Sequence, residues 1–178
     1  MPESRSRRSA TAAKRKLKEA MEILTALGFA PKQRNEMAGH VLLALLDLNP
    51  ATPWSGASSP LRGITPIIEF IAESYRLRFA PNTRETIRDE AVKYFVEAGM
   101  VLRNPDNPAR PTNSGNTVYQ VEPAALALIR SFGTSAWQTN LTAYGAARGR
   151  IRGEIERERS LARDRWREFQ FVCLTARA

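Results

Sequence analysis

The sequence predicts a mainly α fold: a winged helix-turn-helix with additional N- and C-terminal helices and one short β-hairpin. Three observations carry that prediction. Two helix starts, at Thr65 and Asn82, are separated by a short link over Leu77 to Pro81. Two short strand-like segments follow, Met100 to Arg103 and Thr117 to Val121, on either side of a loop dense in Asn, Pro and Gly. Helix, tight link, helix and hairpin is the order of a winged helix-turn-helix.

The elements follow in order. Ala13, Leu17, Met21, Leu24 and Leu27 recur at helical spacing, and Gly28 suits the left-handed stop. A second helix spans about Gln33 to Leu48. Its apolar residues go most of the way round, which places it at the centre of the fold. Asn49 to Gly63 reads as a loop anchored by Trp54 and Leu61. The next helix has Thr65 as its N-cap and Pro66 at its first position, with Ile67, Ile68, Ile71 and Tyr75 inward.

The helix after the link opens on a capping-box variant, Asn82 with Glu85. Ile87, Ala91, Tyr94, Phe95 and Ala98 form its apolar stripe, and Gly99 ends it. Beyond the hairpin, Pro123 to Phe132 is helical, with Leu126, Ile129 and Arg130 spaced for docking. Another helix spans about Ser135 to Tyr144, and a segment charged nearly all round runs from Ala146 to Phe169.

Charge is distributed unevenly. The chain of 178 residues carries 27 Lys and Arg against 18 Asp and Glu, a net charge of +9. Seven cations and one anion give residues 1–18 a charge of +6, and nine Arg against five acids give residues 146–178 a charge of +4. Eleven cations against twelve anions leave 19–145 at −1. The expected organisation is a basic arm over 1–18, a winged-helix domain over 19–144 and a charged helix or linker over 145–178. Basic ends attract phosphate polyanions without sequence preference, whereas a bare arm would simply be solvated.

Several chemistries are excluded. Cys173 is the only cysteine, so no internal disulfide or cysteine-based zinc site exists, and a reducing cytoplasm fits. His40 is the only histidine and reads as a helix-surface residue, which removes catalytic triads and Cys-His pairs. No apolar span is long enough for a membrane helix or a secretion signal. The expectation is therefore no catalytic residue, no metal ligand and no cofactor within these residues.

The candidate readers of DNA are Asn82, Thr83, Arg84, Thr86 and Arg88, because a winged helix places the start of its second helix in the major groove. Arg forks onto guanine and Asn onto adenine. Arg103, Arg110, Asn113 and Ser114, together with Asn116, would give the hairpin phosphate donors, and Arg7, Arg8, Lys14 and Arg15 of the arm would add charge. Periodicity alone leaves open a solvated helix, or a winged helix that binds protein.

Residues Leu43 to Tyr144 resemble the N-terminal helix-turn-helix region of the BsuBI/PstI restriction endonucleases. The resemblance rests on Leu48-Asn49-Pro50, Thr52-Pro53-Trp54-Ser55, Gly63-Ile64-Thr65-Pro66-Ile67 and the run Ala80 to Arg88. It continues through Phe95 to Gly99, Asn104-Pro105-Asp106, Arg110-Pro111, Asn113-Ser114 and Ser131 to Thr134. It implies type II restriction of palindromic double-stranded DNA, by a protein that joins this reading domain to a Mg2+-dependent nuclease domain. A homodimer on the site fits that implication.

The nuclease half is not expected within these residues. A PD-(D/E)xK centre needs an acid two places before a lysine. The five lysines (14, 16, 18, 32, 93) have Ala12, Lys14, Lys16, Ala30 and Ala91 there, so Pro105-Asp106 reads as a turn. A winged-helix regulator binding an operator as a dimer is the alternative reading, and a protein-docking module using the 146–169 helix is a third.

Overall fold

The computed structural model describes residues 2–80, 82–111 and 114–149, with side chains from residue 10 onward. Helix α1 is Pro2–Ala26, α2 is Glu36–Leu45 and α3 is Ile64–Tyr75. Helix α4, Thr83–Ile87, runs through a π-helical turn, Arg88–Val92, into α5, Lys93–Glu97. Strands β1, Val101–Arg103, and β2, Tyr119–Val121, precede α6, Pro123–Arg130. Helical backbone also covers 137–149. The mainly helical winged architecture expected from the sequence is the one observed.

Helix α2 is the axis of the core. Every residue from Ala38 to Leu45 is buried, because α1, α3 and the π turn all pack on it. Asn35 starts it by accepting the Ala38 N–H at 2.9 Å, satisfying one of the orphan donors of a helix start. Gly39 lies against α1: an added Cβ would lie 2.7 Å from Leu17 Cδ1. The buried stripe of α1 is Ala20, Ile23 and Leu24, with Leu17, Met21 and Leu27 only half-buried on its border. Gly28 closes the helix at φ 84°, as expected.

His40 is buried rather than on the helix surface, since α2 has no solvent face at that point. Its ring stands edge-on to Tyr75 at 5.2 Å, and Nδ1 donates to the Glu36 carbonyl at 2.8 Å. A carbonyl can only accept, so Nδ1 carries the proton. Tyr75 in turn donates to the Leu48 carbonyl at 2.6 Å, tying α3 to the segment that follows α2.

The loop after α2 is anchored by Trp54, which is buried, but not by Leu61, which is 47% exposed. The indole Nε1 donates to Glu19 Oε2 at 2.7 Å, and Lys16 Nζ lies 4.7 Å from the ring centroid. Phe132 stacks edge-on between Trp54 and Trp137, at 5.3 and 5.0 Å. Arg62 is a second anchor of the loop. It donates to the Ala44 carbonyl at 2.5 Å, pairs with Asp47, and lies 4.4 Å from the Phe70 ring centroid.

Helix α3 begins two residues earlier than expected. Gly63 is its cap, with extended backbone and a carbonyl that accepts the Ile67 N–H at 3.2 Å, so Pro66 sits at the third helical position. Gly63 is held there because Arg62 bridges β2 at Tyr119, with backbone bonds of 3.0 and 2.8 Å. The antiparallel pair β1–β2 runs in the register Val101↔Val121, Leu102↔Gln120 and Arg103↔Tyr119. In α6 the buried residues are Ala125, Leu128 and Ile129, with Leu126 half-buried. Arg130 docks as expected, giving Nε to the Ala57 carbonyl at 2.8 Å.

The chain divides into two compact units, Met1–Leu141 and Thr142–Ala178. In the second, Arg148 donates to the Tyr144 hydroxyl at 2.8 Å. The charged segment expected over Ala146 to Phe169 lies outside the described residues beyond position 149.

Candidate nucleic-acid interface

The helix α4 that follows the α3 link carries the candidate readers. Asn82, Arg84 and Arg88 are exposed; Thr83 and Thr86 are half-buried beside the inward Ile87. The Arg88 N–H bonds to the Arg84 carbonyl, so one regular helical turn separates the two arginines and both leave the same edge of the helix. Their neighbours Glu85 and Asp89 are exposed too, which makes this edge nearly neutral.

Asn82 is not a side-chain cap. Its backbone is already helical, at φ −77° and ψ −3°, and it makes no cap hydrogen bond, so the expected capping box is not formed. A capping side chain reaches the first turn from extended backbone. Here the Ala80 carbonyl takes the Thr83 N–H at 3.0 Å instead.

The π turn shifts the phase of the helix by one residue, because each π ring includes an extra residue. Its signature is the Lys93 N–H bonded to the Arg88 carbonyl. Two adjacent residues, Ala91 and Val92, are consequently both buried, and Phe95 reaches Phe29 edge-on at 5.4 Å. Tyr94 and Ala98, expected in the buried stripe, are half-buried. Arg88, at the start of the turn, pairs with its own neighbour: Nε to Asp89 Oδ1 at 3.0 Å and Nη2 to Oδ2 at 3.4 Å. That bond holds the Asp89 carboxyl below the usual carboxylate range.

Tyr119 of β2 is buried and stands opposite Arg103 of β1. Burial raises the Tyr119 hydroxyl above its ordinary value, while Arg103 and Arg88 both oppose the shift. Both cations therefore lie within electrostatic reach of one phenol, Arg103 from the strand opposite and Arg88 from the helix.

Arg110 is not presented to solvent as a phosphate donor. Its guanidinium closes a bidentate pair on Asp106, at 3.1 and 2.6 Å, and also donates to Asn104 Oδ1 at 2.9 Å. Asn104 is buried at φ 48°, and the same Oδ1 accepts the Val118 N–H at 3.0 Å. Residues 104–110 thus form a closed turn. Ser114 Oγ accepts the Asn116 N–H at 3.2 Å, and Asn113 lies outside the described residues.

Residues 2–18 of the expected basic arm are helical, as part of α1. Lys14 and Arg15 point outward, with Arg15 Nε 3.7 Å from Glu19, whereas Lys16 is buried against Trp54. Burial, more than its neighbours, pulls the Lys16 amine below its ordinary value. The side chains of Arg7 and Arg8 lie outside the described residues. Two exposed cations are not apparent from periodicity: Arg76, left-handed at φ 56°, and Arg78, both in the link that leads into α4. Their position between two helices of a helix-turn-helix is the signal the sequence holds for them.

Among the described residues no three His, Cys, Asp or Glu side chains converge as a metal site requires, and none of their helices is long and apolar enough to cross a membrane.

The type II restriction enzyme BsuBI of Bacillus subtilis is 42% identical over 143 residues, which cover 80% of this chain and 45% of that enzyme. The type II restriction enzyme AplI of Arthrospira platensis is 36% identical over 126 residues, 71% of this chain and 39% of the relative. The chain therefore spans less than half the length of these relatives. The structure of SdaI restriction endonuclease superposes with a TM-score of 0.67 at 30% identity, covering 69% of this chain and 39% of that one. The model of the BsuBI/PstI restriction endonuclease HTH domain matches residues 14–152, and the chain belongs to that family.

Proposed function

We propose that these residues recognise double-stranded DNA for a type II restriction enzyme, with α4 in the major groove and the hairpin along the backbone. The observation that carries the reading is the placement of Arg84 and Arg88 on one exposed edge of the second helix, with an exposed Arg103 on the wing that follows it. The site is a palindrome read by two copies, one half-site each, in the cytoplasm. Cleavage, with its Mg2+, belongs to a nuclease domain outside these 178 residues, since no lysine here has an acid two places before it.

The test is a gel shift of the purified chain against a randomised duplex library and a single fixed duplex, across salt. Enrichment of one palindrome is the expected result, and equal binding to all sequences overturns it. Incubation with plasmid and Mg2+ leaves the DNA uncut; sequence-specific cutting by the pure chain overturns the assignment of catalysis elsewhere.

A further inference from the structure

We infer that Asp89 is a specificity-determining residue, which holds Arg88 as a fixed fork for one base; the inference rests on α4 reading DNA as proposed above. Side chains one apart on a regular helix do not face each other. Arg88 and Asp89 nevertheless meet at two points, and they do so at the first residues of a π turn, a rare feature that is frequent at functional sites. The pair lies in solvent, with the two side chains 53% and 58% exposed. Exposed ion pairs add little to stability, so the contact is not explained by the fold.

Its geometry explains it better as preorganisation. Asp89 takes the side-on edge of the guanidinium, Nε with Nη2. The end-on edge, Nη1 with the second Nη2 hydrogen, stays directed along the side chain. That edge supplies the two parallel donors that match O6 and N7 of guanine. A free arginine loses rotamer freedom when it docks, and a buttressed one loses less.

The carboxylate also selects by repulsion. With Glu85 alongside, three residues before Arg88, it makes this edge of the helix a poor seat for phosphate, so Arg88 gains from a base edge rather than from the backbone. Asp89 is thus a positioning residue whose loss should relax sequence preference without loosening the fold.

The experiment selects a site from a randomised duplex library with the full chain, then compares Asp89→Ala, Asp89→Asn and Arg88→Ala on that duplex and on an unselected one. Asp89→Ala should weaken the selected duplex about tenfold or more and flatten preference at the base position that Arg88→Ala flattens. Binding to the unselected duplex should hold or tighten, and thermal unfolding should not move. Asp89→Asn, which keeps one acceptor for Nε, should retain the same preferred base. A wild-type preference at that position in Asp89→Ala, with Arg88→Ala defective, overturns the inference. If Arg88→Ala and Arg84→Ala both select the wild-type site, the reading of DNA by α4 fails instead, and this inference with it.

Discussion

Arg110 grips both carboxylate oxygens of Asp106 across one turn of the hairpin loop, and the grip is what shapes the wing. The same guanidinium reaches Asn104, whose left-handed backbone turns the chain out of β1 and whose side chain also receives the Val118 N–H. Three polar side chains therefore fix a loop that has almost no apolar content of its own.

That clamp makes the wing sensitive to acid. The hydrogen bond from Arg110 holds the Asp106 carboxyl below its ordinary value of 3.8. A depressed carboxylate contributes stability that is complete above the ordinary value and is lost as pH falls through the folded one. Amide protection at Asn104 and Val118, taken relative to the intrinsic exchange rate at each pH, should therefore fall below about pH 4, ahead of the helical core. Asp106→Asn should show fast exchange already at neutral pH. Equal exchange in the two proteins would remove the pair from the wing's support.

A second acid-sensitive group lies in the core. Burial lowers the His40 imidazole from its ordinary 6.5, against the pull of the Glu36 carbonyl bond and carboxylate. The unfolded chain therefore binds more protons near that pH than the folded one. Stability falls as pH drops below about 6.5 toward the folded value. Urea midpoints measured from about pH 7.5 to 5.5 should decline for the wild type and stay flatter for His40→Phe, which keeps the edge contact with Tyr75. A parallel decline in both would assign the effect to other groups.

Which features are legible in the sequence follows from the range of the interactions. Helix existence is a local, periodic property, so α1, α2, α3 and α6 are visible, as is the hairpin from its alternation. Helix starts are less so. Thr65 is a better cap by type than Gly63, but the strand bridge at Arg62 decides the backbone there. His40 looks superficial because no periodicity shows that a helix is covered on every side. The π turn leaves only one trace, the adjacent apolar pair Ala91-Val92, which a regular helix would split between core and border. Arg110 is partly legible, since Asp106 lies four residues before it, yet a loop gives no reason to expect helix-like spacing. Arg62 is invisible: its partners lie 15 and 18 residues away.

The exposed side of α1 should supply charge and not base preference. Lys14, Arg15 and Lys18 face outward, while Lys16 is committed to Trp54 and Glu19. Replacing the first three with Ala should weaken all duplexes alike and lower the log-log salt slope by about 0.9 for each phosphate that is no longer neutralised. Lys16→Ala should instead lower the unfolding temperature, because its stem and amine no longer pack over the indole. An unchanged slope in the triple variant would leave the basic side of α1 without a role on DNA.

Arg84 and Arg88 differ from those lysines in what they should read. Both stand on one edge of the helix that runs from α4 into the π turn, next to acids that discourage phosphate, so their contribution belongs to the cognate site alone. Arg84→Ala should cost about 1–3 kcal/mol on the selected duplex and little on random DNA, and Arg88→Ala should do the same at a different base position. Neither side chain supports the core, so thermal unfolding should be unaffected by either change. Asn82→Ala is the control for the helix start. Because its side chain makes no cap bond, the usual cost of removing a cap, about 1 kcal/mol, should not appear, and any weaker binding reports a base interaction. Equal weakening on cognate and random duplexes would make the two arginines phosphate clamps. No change on either would move the reading surface to Arg103 and the link residues Arg76 and Arg78.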